Sequence, residues 1–275
     1  MATPLDAPLD AAALRARLVE PHGVYSALDV VASTRSTNAD LAKAAVAGAA
    51  DRTVLLAEEQ SAGQGRRGRS WSSPPGGLYL SVLFRPTDVP AQRLPWLNLL
   101  AGVALVRVAR SVGVEASLKW PNDLLLGPDG RKGAGILSEI TAGVAQAVVV
   151  GIGLNVGKLP DDIQPAPGGL EPTSLADEGA EADRFELAVK LLSELGSLEK
   201  AWRETGGDPF ASGLHEEYQQ HSATVGRRVR VELAGGMQLQ GTAQRIEADG
   251  TLVVRGPDGA DHGVSAGDVV HLRPA

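Results

Sequence analysis

Along residues 78–84, Leu78, Leu80, Val82 and Phe84 share one face and Tyr79, Ser81 and Leu83 the other, the two-residue period of a strand. Residues 145–156 repeat it, with Val148, Val150, Ile152 and Leu154 on one face and Gly151, Gly153 and Asn155 on the other. Glycine weakens a strand interior and marks the close approach of another group. The second face therefore reads as a floor for a flat ligand with Asn155 at its edge, or as glycines filled by a crossing helix. Further strands are expected over residues 53–58, 116–120 and 136–140, with a hairpin turn near Ala142-Gly143. Helical spacing of Leu97, Leu100, Ala101, Ala104, Leu105 and Val108 predicts a helix over 94–112 packed on a sheet. Further helices are expected over 11–20, 39–47, 184–202 and 210–221.

From residue 225 the pattern changes to short runs, 228–233, 239–246, 251–255, 260–264 and 269–272, separated by Gly-rich turns that include Ala234-Gly235-Gly236. That reads as a small five-stranded barrel. The expected division is a tail and short helix over 1–30, with Met1 to Leu9 mobile, a main domain over 31–223, and the barrel over 224–275. The Pro/Gly/Asp-rich stretch 158–183 is a long surface loop of the sort found near active sites.

Chemistry is concentrated in Gly63-Gln64-Gly65-Arg66-Arg67-Gly68-Arg69-Ser70-Trp71. Glycines let the backbone bend around a ligand, and guanidinium forks suit phosphate or carboxylate. The spacing also spells the dinucleotide fingerprint, but Ser72-Ser73-Pro74-Pro75-Gly76-Gly77 follows where a helix would have to begin. A solvated basic loop is the plain alternative. Ser36-Thr37-Asn38 before the alanine-rich helix can serve as an N-cap, face a polar ligand, or do both.

Composition narrows the classes. A chain of 275 residues with 43% hydrophobic residues can bury a large core, and a net charge of −7 makes the arginine cluster a local feature rather than a nucleic-acid surface. There are no cysteines, hence no disulfide, thiolate metal site or thiol nucleophile, and the five histidines lack ligand spacing. Without a signal-like N-terminus or a bilayer-length apolar run, a cytoplasmic protein is expected.

Four segments stand together: the arginine loop, Lys119-Trp120-Pro121-Asn122-Asp123, Arg131-Lys132-Gly133-Ala134-Gly135-Ile136-Leu137, and Gly151-Ile152-Gly153-Leu154-Asn155. With them the sequence resembles the biotin–protein ligases (holocarboxylase synthetases) from about Ser33 to Leu272. The resemblance implies an α+β fold: a class II synthetase-like catalytic domain with a mixed, largely antiparallel sheet and packed helices, then an SH3-like β-barrel. It implies ATP and biotin as substrates, Mg²⁺ as cofactor, biotinyl-5′-AMP as intermediate, and a lysine on a biotin carboxyl-carrier domain of a carboxylase as acceptor.

Carried over position by position, Lys132, Arg66, Arg69 and Asp123 form the catalytic set, with Asp123 orienting Lys132 or binding Mg²⁺. Ser36, Thr37, Asn38 and Gln60 contact biotin, with the backbone at Gly63, Gly133 and Gly135 and the charges of Arg66 and Lys132. Arg66, Arg69, Trp71, Asn122 and Asn155 surround the nucleotide. Lys119 is expected as a structural ion-pair partner, and Arg67 facing solvent or the acceptor. Gln64 departs from the arginine common in the family, and Gly133 from a larger apolar residue, which would loosen one wall of the biotin pocket. Regulator members carry an N-terminal helix-turn-helix that is absent here, so no DNA binding is expected; no membrane partner is expected, and the oligomeric state, a homodimer included, stays open. The competing readings are a lipoate–protein ligase or octanoyltransferase, a non-enzymatic nucleotide-binding protein, and a barrel that binds peptides on an inert scaffold. If the ligase reading holds, removing residues 225–275 should cost turnover but leave the pocket.

Overall fold

The computed structural model describes residues 7–141, 146–160, 163–165, 170–233, 237–265 and 267–272. The turns expected near Ala142-Gly143 and at Ala234-Gly235-Gly236 lie outside them. Helix α1 (Ala11–Leu18), capped by the Asp10 carboxylate, leads into β1 (Ala27–Thr34), α2 (Thr37–Val46), β2 (Thr53–Gln60) and β3 (Leu78–Phe84). Then come α3 (Trp96–Ser111), β4 (Ala116–Lys119), β5 (Asp123–Leu126), β6 (Arg131–Ile140), β7 (Val148–Leu154), α4 (Arg184–Glu204) and α5 (Leu214–His221). These seven strands form one sheet in the order β1-β2-β3-β7-β6-β5-β4, parallel only between β1 and β2. Strand β1 crosses residue 30, so the sheet takes in the end of the N-terminal segment.

Both faces of the sheet's centre are covered. Leu78, Leu80, Val82 and Phe84 of β3 and Val148, Val150, Ile152 and Leu154 of β7 join the core under α3 and α4. On the other face Leu83 and Val149 pack against Leu41 and Ala45 of α2. This division of faces is the one that the alternation predicts. The start of the chain differs: Leu9 is buried, and its N–H donates to Glu58 Oε1 at 2.7 Å, so residues 7–9 are held rather than mobile. Helix α5 starts at Leu214 instead of 210, because the Asp208 carboxylate binds the N–H groups of Phe210 and Ala211 in a turn. Among the described residues, no helix is long and apolar enough to cross a membrane.

The remaining strands, β8 (Arg228–Glu232), β9 (Gln238–Ile246), β10 (Leu252–Arg255), β11 (Asp261–Val264) and β12 (Asp268–His271), form an antiparallel sheet in the order β11-β10-β9-β8-β12. Its buried residues, among them Val229, Val231, Ile246 and Val254, continue the main core. Two tryptophans fasten the β9–β10 turn: Trp96 Nε1 donates to Ala248 O at 2.9 Å and Trp120 Nε1 to Gly250 O at 3.1 Å. Buried indole N–H groups need such partners, so the small sheet is fixed against the segment that carries Pro121, Asn122 and Asp123.

Candidate functional site

A cleft of about 620 Å³ opens on the α2 side of the sheet. One end is polar. Ser36 caps α2, accepting from Ala39 N at 3.4 Å, and Thr37 N–H donates to Gln60 Oε1 at 2.9 Å. Behind them lies Ser81, wholly buried on β3, its Oγ 2.7 Å from Thr37 Oγ1 and 2.6 Å from Asn38 Oδ1. Serine has one proton, and Asn38 Oδ1 can only accept. Ser81 therefore donates to Asn38, and Thr37 donates to Ser81. The Asn38 amide group also donates to Leu137 O at 3.1 Å and Glu139 Oε2 at 2.8 Å. Its two donors are thus used within the protein. Asn38 lines the cleft but acts chiefly as an anchor for α2, over Gly151, where a methyl group would overlap its amide. Thr37 keeps acceptor capacity and Gln60 its second N–H, the first going to Ser73 Oγ at 3.0 Å.

The middle of the cleft is ionic. Register places Lys119 of β4 opposite Asp123 of β5, and Asp123 opposite Gly135 of β6. Lys132 Nζ lies 2.7 Å from Asp123 Oδ1, and Lys119 Nζ lies 3.4 Å from Asp123 Oδ2. Burial alone would raise the Asp123 carboxyl, but Lys132 and then Lys119 outweigh it and hold it below the ordinary carboxylate value. Burial pulls Lys119 below the usual lysine value, with Asp123 opposing. The ion pair expected of Lys119 is present, yet its side chain also lines the cleft.

Lys132 is fixed from behind. Its N–H donates to Glu171 O at 2.8 Å, and its carbonyl accepts from Thr173 N at 2.9 Å. Thr173 O in turn accepts from Asn155 Nδ2 at 2.9 Å, while Asn155 N–H donates to Gly133 O at 2.9 Å. The loop around Thr173 thereby couples Asn155 to Lys132. Gly133 faces away from the cleft, and a Cβ there would meet Leu126 Cγ at 2.5 Å. The expected loosening of the pocket wall at Gly133 is corrected: Leu126 fills that space, and a larger side chain would have none. Gly63 lies beside the main cleft, in a small groove against Trp71 and Ser73.

The arginine loop folds onto the C-terminal sheet. Arg67 Nη1 and Arg69 Nη2 pair with the two oxygens of Asp268 at 3.1 and 2.8 Å, and Arg67 also donates to Glu232 O at 3.1 Å. Arg67 is exposed, as expected, but it is also ion-paired; a left-handed turn at Arg67 (φ 58°, ψ 34°) and Gly68 (φ 72°) aims it at β12. Arg66 donates to Gly267 O at 3.2 Å and Asn122 Oδ1 at 3.4 Å. Burial lowers its guanidinium, with Asp268 opposing. Asp268 and Val269 line the cleft, so the sheet of residues 225–272 supplies part of its wall and its removal would not leave the pocket intact.

Trp71 covers the glycine floor. A Cβ on Gly135 would lie 3.0 Å from its ring, and one on Gly153 would overlap its Nε1. That Nε1 is buried without a hydrogen-bond partner among the described residues, and Lys132 Nζ is 5.5 Å from the ring centroid. Of the residues expected in the catalytic, biotin and nucleotide sets, the cleft gathers all except Gly63 and Gly133. Ser81, Thr173 and Asp268 were missed. Ser81 had a signal, the one aliphatic hydroxyl in a fully buried β3 whose other residues are apolar or aromatic.

The sequence model of the biotin/lipoate A/B protein ligase family matches residues 30–155, and that of the biotin protein ligase C-terminal domain matches residues 224–272. The biotin–[acetyl-CoA-carboxylase] ligase of Mycobacterium tuberculosis is 44% identical over 97% of either chain. Its counterpart from Paracoccus denitrificans is 34% identical over 84% of this chain and 95% of its own. The solved biotin protein ligase from Aquifex aeolicus in complex with biotin and ATP superposes with a TM-score of 0.70 at 25% identity, covering 91% of this chain and 100% of that one.

Proposed function

The chain belongs to the biotin/lipoate A/B protein ligase family, and we propose from that premise that it activates biotin with ATP and transfers it to a carrier lysine. The observation that carries this reading is one cleft that gathers three parts: a polar group at Thr37 and Gln60, the Lys132–Asp123 pair, and the Trp71-covered glycine floor. A biotin carboxylate oxygen attacks the α-phosphorus of ATP; the new C–O–P bond forms as the Pα–O–Pβ bond breaks and pyrophosphate leaves. The acceptor's lysine amine then attacks the biotinyl carbonyl, releasing AMP and a proton.

Two anions meet in the first step, so fixed cations must offset their repulsion as charge builds. Lys132 serves the biotin carboxylate and α-phosphate, Arg66 and Arg69 the phosphates, and Asp123 orients Lys132. Trp71, whose indole N–H has no partner among the described residues, moves to stack on or cover the adenine, with Asn155 and Asn122 at its edge. Thr37 as acceptor and Gln60 as donor suit the N–H and C=O of a ureido ring, which lipoate and octanoate lack. This favours biotin.

The donor set for Mg²⁺ is small. Asp123 is a single buried carboxylate already shared by two lysines, and no cluster of three or more ligating side chains occurs among the described residues. That fits an ion carried by the triphosphate and touched by Asp123 rather than one held by the protein alone; such an ion would offset triphosphate charge. We assign the catalytic unit to the residues up to 223, the whole of β1 included, and the small β-sheet unit to those from 224 on, and the acceptor to a biotin carboxyl-carrier domain. ATP–pyrophosphate exchange with biotin, lipoate or octanoate as sole carboxylate tests the reading. Exchange with biotin alone supports it, and exchange only with lipoate or octanoate overturns it.

A further inference from the structure

The cleft is lined by four cationic side chains, Arg66, Arg69, Lys119 and Lys132, and two carboxylates, Asp123 and Asp268. Arg69 is paired with Asp268 at 2.8 Å and Lys132 with Asp123 at 2.7 Å. Each close pair neutralises itself. Lys132, taken alone, is thus a cation whose charge is already cancelled 2.7 Å away. The surplus positive charge resides on Arg66 and Lys119.

Lys119 differs from the arginines in how it is held. Arg66 and Arg69 sit on a glycine-rich loop, whereas Lys119 ends β4, whose neighbours are pinned. Leu118 O accepts from Ala223 N at 2.8 Å, Trp120 N–H donates to Thr224 Oγ1 at 3.0 Å, and Lys119 itself pairs with Asp123 in the β4–β5 ladder. Its ammonium carries three donors but has one acceptor within reach among the described residues, Asp123 Oδ2, at the long distance of 3.4 Å. Keeping a lysine side chain buried, the residue only 8% exposed, with so little compensation is costly for folding alone. An arriving anion removes that cost.

We propose that Lys119 is a second catalytic cation of the activation step, contacting the α-phosphate oxygens from one side of Asp123 while Lys132, on the other side, bridges the α-phosphate and the biotin carboxylate. Asp123 holds the two ammoniums apart, and the surplus charge draws the two anionic reactants to adjoining positions. This inference rests on reading the cleft as an adenylating site.

The test is biotin-dependent ATP–pyrophosphate exchange by the full chain, comparing wild type with Lys119→Met and Lys119→Arg. Lys132 still pairs with Asp123 in Lys119→Met, so no buried carboxylate is stranded and the midpoint of thermal unfolding should shift by about 2 °C or less. Exchange kcat should fall about 10²-fold, with the KM for biotin changed by no more than about twofold. Lys119→Arg should recover a large part of the rate. A folded Lys119→Met with kcat within about threefold of wild type would overturn the proposal. So would equal rate losses in both variants accompanied by a large drop in thermal midpoint, the signature of a structural ion pair. If the wild-type chain exchanges with none of the carboxylates, the adenylating reading falls and Lys119's role with it.

Discussion

The Trp71 indole occupies the space above Gly153: a Cβ built on that glycine would overlap Nε1, and one on Gly135 would lie 3.0 Å from the ring. The flat floor that the glycines of β7 and β6 provide is therefore covered by the chain's own aromatic side chain. The same surface and the same indole are available to a purine. Gly153→Ala should expel Trp71 from this seat and crowd a nucleotide. The KM for ATP in pyrophosphate exchange should rise about tenfold or more, equivalent to about 1.4 kcal/mol, while the KM for biotin changes little. An unchanged KM for ATP would mean that the base lies elsewhere.

Asp268 bridges the arginine loop and the last strand, taking Arg67 on one oxygen and Arg69 on the other. Partly exposed pairs contribute modestly, but here two share one carboxylate and Arg66 adds a contact to Gly267 O. Asp268→Asn should loosen the loop. Limited trypsin digestion of the native chain at Arg66 to Arg69 should accelerate about fivefold or more, the effect of roughly 1 kcal/mol in local opening. Equal cleavage rates would show that glycine-loop geometry alone fixes the arginines.

Ser81 is the buried link between Thr37 and Asn38. Ser81→Ala leaves Asn38 Oδ1 without its donor in a dry interior, which should cost about 1–3 kcal/mol in urea unfolding. Because Thr37 loses its reference partner too, the KM for biotin should rise while that for ATP holds. A loss of stability with both constants unchanged would confine Ser81 to the core.

His271 supplies a pH dependence. Trp120 N–H donates to Thr224 Oγ1, and the Thr224 hydroxyl lies 3.0 Å from His271 Nε2. The hydroxyl's proton then points at a neutral ring. Burial, followed by the charge of Lys119, lowers His271 to about 4 from 6.5. Between these values the unfolded chain binds a proton that the folded chain does not. Stability is therefore fully present above about pH 6.5 and is lost as pH falls toward 4. His271→Gln should flatten the fall in thermal midpoint across that window. An identical slope in both proteins would assign it to other groups.

What the sequence revealed was what lies close in the chain or repeats with a fixed period. The alternation in β3 and β7 assigned their faces correctly, and the few residues between Asp123 and Lys132 form a hairpin that brings them together. Contacts between distant segments left no such trace. Asp268 is 199 positions from Arg69, and nothing local marks it as a partner. Gly133 was misassigned because which side of β6 it faces depends on a register shift between Leu124 and Leu125. The anchoring role of Asn38 was not legible because its amide partners, Leu137 O and Glu139, lie about a hundred positions away on β6.

The central claim is that this cleft joins biotin to protein through Lys132-assisted activation. Mass spectrometry of a purified biotin carboxyl-carrier domain, incubated with the chain, biotin and MgATP, tests it most directly. The account predicts one biotinyl group on one lysine, none without ATP, and a rate lowered about 10²–10³-fold by Lys132→Ala. A carrier domain left unmodified by the wild-type chain, or modified at the same rate by Lys132→Ala, would contradict it.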